Sequence, residues 1–191
     1  MKKLGLNDIL ETQRCIIKLP KQSEAEYMWS LITENTTKYM IWNKWLDSRE
    51  TLKNIKKTQE KAEKWESWEW AIYDKKTWVC IGRCGINEID SIIPSFQLGY
   101  WIAEPFWNEG YATEAVGAIL KFGFETLGLN KVIAVYLPTN EASGKVMIKN
   151  GMIKEAEFKN HDVKRGHTKD DNVYVSLIQY RLMKSEYETL K

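Results

Sequence analysis

The groups in this sequence that could do chemistry are of four kinds, and the first is backbone. An extended run with Phe96, Leu98, Tyr100 and Ile102 on one face stops at Pro105 and turns through Asn108-Glu109-Gly110. It then becomes helical, with Ala112, Ala115/Val116, Ile119 and Phe122/Gly123 at helical spacing. A strand that passes through a glycine turn into a helix leaves several N–H groups unpaired and aimed the same way. Together with the positive end of the helix dipole they form a site for a phosphate or pyrophosphate. Gly110 lets the anion approach closely because no Cβ intervenes. Ala112 is nearly as small, and the Thr113 hydroxyl adds a donor. The second kind is a polar helix start, Asn140 to Ser143, which offers a cap and a hydroxyl. The third comprises carboxylates near strand ends, Glu88 and Glu104, able to accept a proton. The fourth is a set of indoles, flat faces against which a planar group could stack.

A glycine before a helix is common, so the turn gains meaning from the stretch thirty residues further on. The first segment carries Gly99-Tyr100, Trp107 and Gly110-Tyr111-Ala112-Thr113-Glu114-Ala115; the second carries Asn140, Ser143, Val146, Lys149 and Gly151. At this spacing the two resemble the GNAT N-acyltransferases of the RimJ/RimL-like branch. There they read roughly Gly-Tyr-x-x-x-x-x-x-Trp-x-x-Gly-Tyr-Ala-Thr-Glu-Ala and Asn-x-x-Ser-x-x-Val-x-x-Lys-x-Gly-Phe. The resemblance extends in element order from about Thr12 to Leu182. It implies an α+β GNAT fold, a mixed, mostly antiparallel sheet flanked by helices, in which two central strands splay apart. Here those strands would be Ser95–Ile102 and Lys131–Leu137. It also implies acetyl-CoA in the gap, its pantetheine arm along the first splayed strand and its pyrophosphate on the turn that follows.

Transfer of an acetyl group from a thioester to an amine needs the cofactor held, the carbonyl polarised, the amine deprotonated and the departing thiolate protonated. The resemblance assigns the cradle to Asn108, Glu109, Gly110, Tyr111, Ala112 and Thr113. It puts an N–H near Ile102 or Ala103 at the carbonyl. The Gln or Arg usual at the start of the cradle is Trp107 here. Asn140 reads as a helix cap and, by resemblance, as a contact to the cofactor arm. Many relatives place a tyrosine acid where this chain has Met147, which has no proton to give. In the RimJ/RimL-like branch the serine takes over, so Ser143 is the candidate acid, against a plain solvated helix serine. Lys145 is within reach of cofactor phosphates. The base is harder to find. Where the family often has a strand glutamate this chain has Gln97, and an amide accepts no proton at neutral pH. Glu88 and Glu104 remain, each with the plainer reading of an exposed carboxylate.

The elements that must position these groups follow from pattern. Residues 1–12 read as a lead-in or linker, 13–184 as one domain and 185–191 as a tail. Cys15–Leu19 is a strand, Ser23-x-x-Glu26 opens a helix, and Asp47-x-x-Glu50 opens a second helix to about Trp65. That helix is lysine-rich but balanced by Glu60, Glu63 and Glu66, which fits a solvated face better than nucleic-acid contact. Trp68–Tyr73 and Trp78–Ile86 form a hairpin around Asp74-Lys75-Lys76-Thr77. A helix from Tyr111 to Leu127, a strand Lys131–Leu137, a helix Asn140–Asn150 and strands Glu155–Phe158 and Val173–Leu182 complete the order. Lys159–Asn172, with His161 and His167, reads as a polar surface loop.

Composition narrows the class. The chain has 191 residues, 43% apolar and 28% charged, with a formal net charge of +2, ordinary for a globular domain and without a polyanion-binding excess. Three cysteines in no metal or disulfide spacing point to a reducing cytoplasm. No apolar run reaches the length of a membrane span. Nine tryptophans are the anomaly. Several cluster on the acceptor side implied by the fold, and Trp45, Trp65 and Trp78 are the substrate-binding candidates, the last two as a clamp. The microcin C self-immunity acetyltransferases, within the wider resemblance, acetylate an aminoacyl-nucleotide. The expected activity is therefore acetyl-CoA-dependent N-acetylation of a primary amine by direct attack in a ternary complex. The amine belongs to a protein N-terminus or an aminoacyl small molecule, including a nucleotide held between indoles. A non-catalytic CoA-binding module is the alternative of another class. A monomer or homodimer is expected, with no metal, membrane or nucleic-acid partner.

Overall fold

The computed structural model describes residues 9–90, 94–164 and 169–190. Its strands are β1 (Leu10–Glu11), β2 (Cys15–Lys18), β3 (Trp68–Asp74), β4 (Cys80–Asp90), β5 (Ser95–Ile102), β6 (Lys131–Tyr136), β7 (Ile153–Lys164) and β8 (Val173–Met183). Its helices are α1 (Ala25–Leu31), α2 (Glu34–Thr37), α3 (Ser48–Glu63), α4 (Tyr111–Lys121), α5 (Glu141–Lys149) and α6 (Lys184–Thr189). The strands form one sheet in the order β1-β2-β3-β4-β5-β6-β8-β7. Every pairing is antiparallel except β5 with β6. This is the α+β GNAT architecture expected from the sequence.

Alternation along the strands supplies both cores. Cys15, Ile17, Trp70, Ile72, Ile86 and Leu98 point to the face covered by α4, whose Ala115, Val116, Ile119 and Leu120 are buried against them. Each such large side chain contributes about 1.5–3 kcal/mol of transfer free energy. Gly123 lets the chain after α4 approach closely, since a Cβ there would lie 2.4 Å from the Phe96 ring. On the other face Ile16, Ala71 and Tyr73 pack against Met28 of α1 and Ile55 of α3. In α3, Thr51, Ile55, Thr58 and Ala62 are buried at helical spacing while Lys53, Lys56 and Lys57 are exposed.

The pairing of β5 with β6 runs only from Ser95↔Lys131 to Leu98↔Ala134. β5 continues to Ile102 and β6 to Tyr136, so the two separate, leaving Gly99–Ile102 without a β6 partner. This is the splay on which the site depends.

Four segments differ from the pattern-based expectation. Leu10–Glu11, within the expected lead-in, pair with Ile16–Ile17. The helix expected to run to Leu127 ends at Lys121 and continues as a π-turn, Phe122–Thr126. β7 runs through Lys164, so His161 lies on a strand, its ring 4.6 Å from that of Phe158. An edge strand exposed on both sides needs no apolar alternation, which is why its polar sequence reads as loop. The expected tail carries α6, where Glu186 accepts the Met183 N–H at 2.9 Å and Tyr187 stacks on Phe124 at 4.8 Å.

Candidate active site

The free edge of β5 is built by its pairing on the other side. Ala103 N–H donates to the Ile81 carbonyl at 2.8 Å, and Ile102 lies opposite Gly82. Antiparallel alternation therefore turns the peptide groups of Tyr100 and Ile102 away from β4, toward the gap. The Ile102 carbonyl accepts the Trp107 indole N–H at 2.6 Å, which ties the following turn to the strand. Of the two expected carbonyl-polarising amides, the geometry thus keeps Ile102 and removes Ala103, whose N–H is spent on β4.

The turn into α4 falls at the expected residues, with left-handed backbone at Asn108 (φ 63°) and Gly110 (φ 84°). The Glu114 N–H donates to the Gly110 carbonyl at 3.1 Å, so the N–H groups of Tyr111, Ala112 and Thr113 precede the helical ladder. With Gly110 they are the donors available to a pyrophosphate. Their side chains hold the scaffold. Tyr111 O–H donates to Asp74 at 2.8 Å, and that bond, with others from Thr77, keeps the Asp74 carboxyl below its usual range. Glu109 offers its backbone carbonyl to Arg14 at 3.0 Å.

Arg14 carries no sequence signal that marks it as a site residue. Its Nε pairs with Glu114 at 2.8 Å, its guanidinium lies 4.5 Å over the Tyr111 ring, and Nη2 would be 3.4 Å from a Cβ at position 110. Its charge is balanced by Glu114, and its Nη2 is left beside the turn. Burial alone would raise the Glu114 carboxyl, but hydrogen bonds from Thr12 and from the Arg14 backbone and side chain outweigh it and hold it low.

Across the gap α5 begins at Asn140, whose side-chain oxygen accepts the Ser143 N–H at 3.2 Å; its NH₂ donates to the Tyr39 carbonyl at 3.5 Å. Ser143 Oγ lies 2.7 Å from the Tyr100 hydroxyl, which also donates to the Ser143 carbonyl at 3.1 Å. Burial pushes the Tyr100 phenol well above its ordinary range, so it keeps its proton. In the sequence Tyr100 stands only as a motif and strand residue; its contact with Ser143 spans forty-three positions. Met147 is buried in the core, Gly144 sits under Tyr136, and Lys145 is exposed.

Of the two candidate carboxylates, only Glu104 has a described side chain. Glu104 stands at the lip of the gap, but accepts from Asn35 at 2.9 Å and Thr33 at 3.3 Å, so it anchors the start of α2 to the site. The Glu88 side chain and His167 lie outside the described residues.

On the α1–α3 side of the sheet is a cavity of about 270 Å³. Its floor is Gly85 and Gly99, paired across β4 and β5, and its aromatic walls are Trp42, Trp45 and Trp101. A Cβ at position 99 would meet nothing closer than 3.5 Å, so the floor is open there. Of the three candidate indoles, Trp45 lines this cavity, and Trp65 and Trp78 are not among its lining residues. Trp65 follows α3 at φ 62°, with the Glu66 N–H on Lys61 and its own N–H on Ala62, a Schellman ending normally given to glycine. Its ring meets Trp68 edge-on at 5.4 Å. Trp78 is in the hairpin turn at φ 60°, 62% exposed, at the other end of β3. That strand is about 20 Å long, so the two cannot clamp one group. The Trp42 and Trp45 rings stack with centroids 6.2 Å apart, short of the roughly 7 Å that two van der Waals gaps require. They make a wall, not a clamp.

All three cysteines are buried thiols, and burial raises Cys15 and Cys80 to about 11. Among the described residues no helix is long and apolar enough to cross a membrane.

Comparison with known proteins agrees with this geometry. Residues 14–153 match the model of the acetyltransferase (GNAT) domain. The uncharacterized N-acetyltransferase YoaA of Bacillus subtilis (strain 168) is 26% identical over 87% of this chain and 94% of its own. The ribosomal-protein-S5-alanine acetyltransferase of Vibrio fischeri shares the fold with TM-score 0.81 at 18% identity, covering 95% of this chain and 99% of that one. The microcin C7 self immunity acetyltransferase MccE, solved with acetyl-CoA and AMP, has TM-score 0.77 at 18% identity over 90% and 93%. A glycine turn opening a helix beside a splayed strand, matched by the domain model over most of the chain, makes this protein a member of the GNAT acetyltransferase family.

Proposed function

We propose that the protein transfers an acetyl group from acetyl-CoA to the α-amine of a protein N-terminus or an aminoacyl small molecule, by direct attack in a ternary complex. The observation that carries this reading is convergence on one strand. The unpaired edge of β5, Gly99–Ile102, borders both the α4 turn that can hold a pyrophosphate and the aromatic cavity that can hold an acceptor.

Acetyl-CoA supplies an activated acetyl thioester, and the residues present fit it. Gly110 and the first N–H groups of α4 would hold the pyrophosphate, with Arg14 Nη2 a further donor beside the turn and the outward peptide of Tyr100 and the N–H of Ile102 aligning the arm. The Ile102 N–H is positioned to stabilise negative charge on a carbonyl oxygen at the gap. The Tyr100–Ser143 hydroxyl pair holds a proton beside the gap, with Ser143 as its outer member.

Among the described side chains no free carboxylate stands at the gap as a base; that of Glu88 lies outside them. Gln97 cannot accept a proton and Glu104 is engaged by Thr33 and Asn35. An amine that arrives neutral, or that loses its proton to water, needs no such base. An α-amine, with a pKa of about 7.7–8.0, is substantially neutral at physiological pH, whereas a lysine side chain near 10.4 is almost wholly charged. This supports α-amines as the acceptor class. An aminoacyl-nucleotide would lay its base against the Trp42–Trp45 wall rather than between two indoles.

Two-substrate initial-rate kinetics with α-amine and lysine-side-chain peptides, together with aminoacyl-sulfamoyl adenosines, test this reading. The expected results are intersecting lines, no acetylated enzyme by intact mass, and kcat/KM rising as the acceptor ammonium loses its proton. Parallel lines with an acetyl-enzyme, or preference for lysine side chains, would refute it.

A further inference from the structure

The inner end of the aromatic cavity is polar and incompletely satisfied. Arg83, 3% exposed, projects from β4 toward α3. Its Nη1 donates to Asn54 at 2.6 Å, and Nη2 pairs with Glu69 at 3.2 Å and reaches Thr58 at 3.4 Å. Its Nε has no hydrogen-bond partner. Thr51, 1% exposed and on the same cavity wall, has an unpartnered hydroxyl. A buried donor without an acceptor is unfavourable, and both residues line one cavity. Arg83 lies opposite Trp101 of β5, one strand spacing of about 5 Å away, so the cavity that both line reaches from β4 to the strand with the free edge.

We propose that this polar end is the specificity site for the acceptor. It takes a neutral hydrogen-bond acceptor, a carboxamide or ketone oxygen, at the far end of an aromatic or aliphatic body whose amine sits at β5. The Glu69 carboxylate already neutralises Arg83, so a ligand carboxylate would face Glu69 without a free counter-charge. A neutral oxygen accepts from Arg83 Nε and Thr51 Oγ1 and adds no charge. Trp42, Trp45 and Trp101 contact the body of the ligand. Placement of the amine rests on the acetyltransferase reading; recognition of the far end does not.

The test uses three amino-acid amides with one aromatic body: 4-carbamoyl-, 4-carboxy- and 4-methylphenylalanine amide. Binding is followed by tryptophan fluorescence with CoA present, so no turnover is needed, and acetylation is followed separately. The carbamoyl compound is expected to bind about tenfold or more tightly than the methyl compound, with the carboxy compound weakest. Arg83→Lys, which keeps the charge beside Glu69 but lacks Nε–H, and the near-isosteric Thr51→Val should each reduce that preference. Affinity for the methyl compound and for CoA should stay unchanged. Equal binding of all three (the outcome if water fills the site), tightest binding of the carboxy compound, or a preference surviving both variants would overturn the proposal. Arg83-dependent binding without acetylation of any amine would instead sink the catalytic reading and leave this one standing.

Discussion

Replacing Tyr100 by phenylalanine removes one oxygen from the centre of the site and leaves the ring. That oxygen lies 2.7 Å from Ser143 Oγ, and burial keeps it protonated far above neutral pH. If the pair supplies the proton to the departing thiolate, general-acid catalysis sets the scale, about 10²–10⁴-fold. Ser143 is only partly buried and water can partly replace Tyr100, so the lower end applies. We expect kcat to fall about 100-fold, roughly 2.7 kcal/mol of barrier, with little change in KM for acetyl-CoA. The fold should lose about 1 kcal/mol, one hydrogen bond whose remaining partner can be solvated. Steady-state kinetics with saturating substrates on Tyr100→Phe, Ser143→Ala and the double variant measure this. Because both hydroxyls lie on one proton path, the double variant should be scarcely worse than the poorer single one. A wild-type kcat without an alkaline fall below about pH 10 is the companion expectation. Tyr100→Phe retaining kcat within threefold, or strictly additive effects, would refute the role.

Other consequences follow from the same contacts. Gly110→Val, at φ 84° and close to Arg14, should cost about 1–2 kcal/mol of stability and raise KM for acetyl-CoA at least tenfold, read by denaturant unfolding and kinetics. Glu114→Gln should lower stability by about 1–2 kcal/mol at pH 7, discounted because the Arg14 side chain is 41% exposed. Since the folded Glu114 carboxyl is depressed, that contribution is present above its unfolded pKa of 4.5 and lost as pH falls through the folded value; unfolding of both proteins at pH 7 and pH 3 checks the convergence. Met147→Tyr, which restores the family's usual acid type at a 1% exposed position, should destabilise by about 1–3 kcal/mol through overpacking and fail to rescue Ser143→Ala. The three buried thiols should be silent to an aromatic disulfide reagent until the protein is unfolded.

What was legible in the sequence was local. Gly110 after Pro105, and Asn140 before an apolar helix, announce their conformations within a few residues, so the cradle and the α5 cap could be named in advance. The splay itself needed the family resemblance, since nothing in Ser95–Ile102 says where pairing with β6 stops. Contacts between distant residues left no spacing to read. Arg14 meets Glu114 one hundred positions away, and Arg83 meets Asn54 at twenty-nine. Trp65 and Trp78 misled although the end of α3 and the hairpin turn were both legible, because local pattern does not show that the strand between them holds the two indoles apart. In the fold the two indoles fall at opposite ends of β3. The Glu104 carboxylate shows a related limit. Its position at the gap followed from sequence, but its engagement by Thr33 and Asn35 depends on where α2 packs.

The most direct measurement is simultaneous: thiol released from acetyl-CoA and acetylated amine formed, across α-amine peptides, aminoacyl-sulfamoyl adenosines, polyamines and aminoglycosides. The account predicts equal amounts of both products with at least one α-amine acceptor, and no thiol release without an amine. CoA that binds but is never released as product from acetyl-CoA with any amine would mean a binding module built on this fold, and would contradict the account.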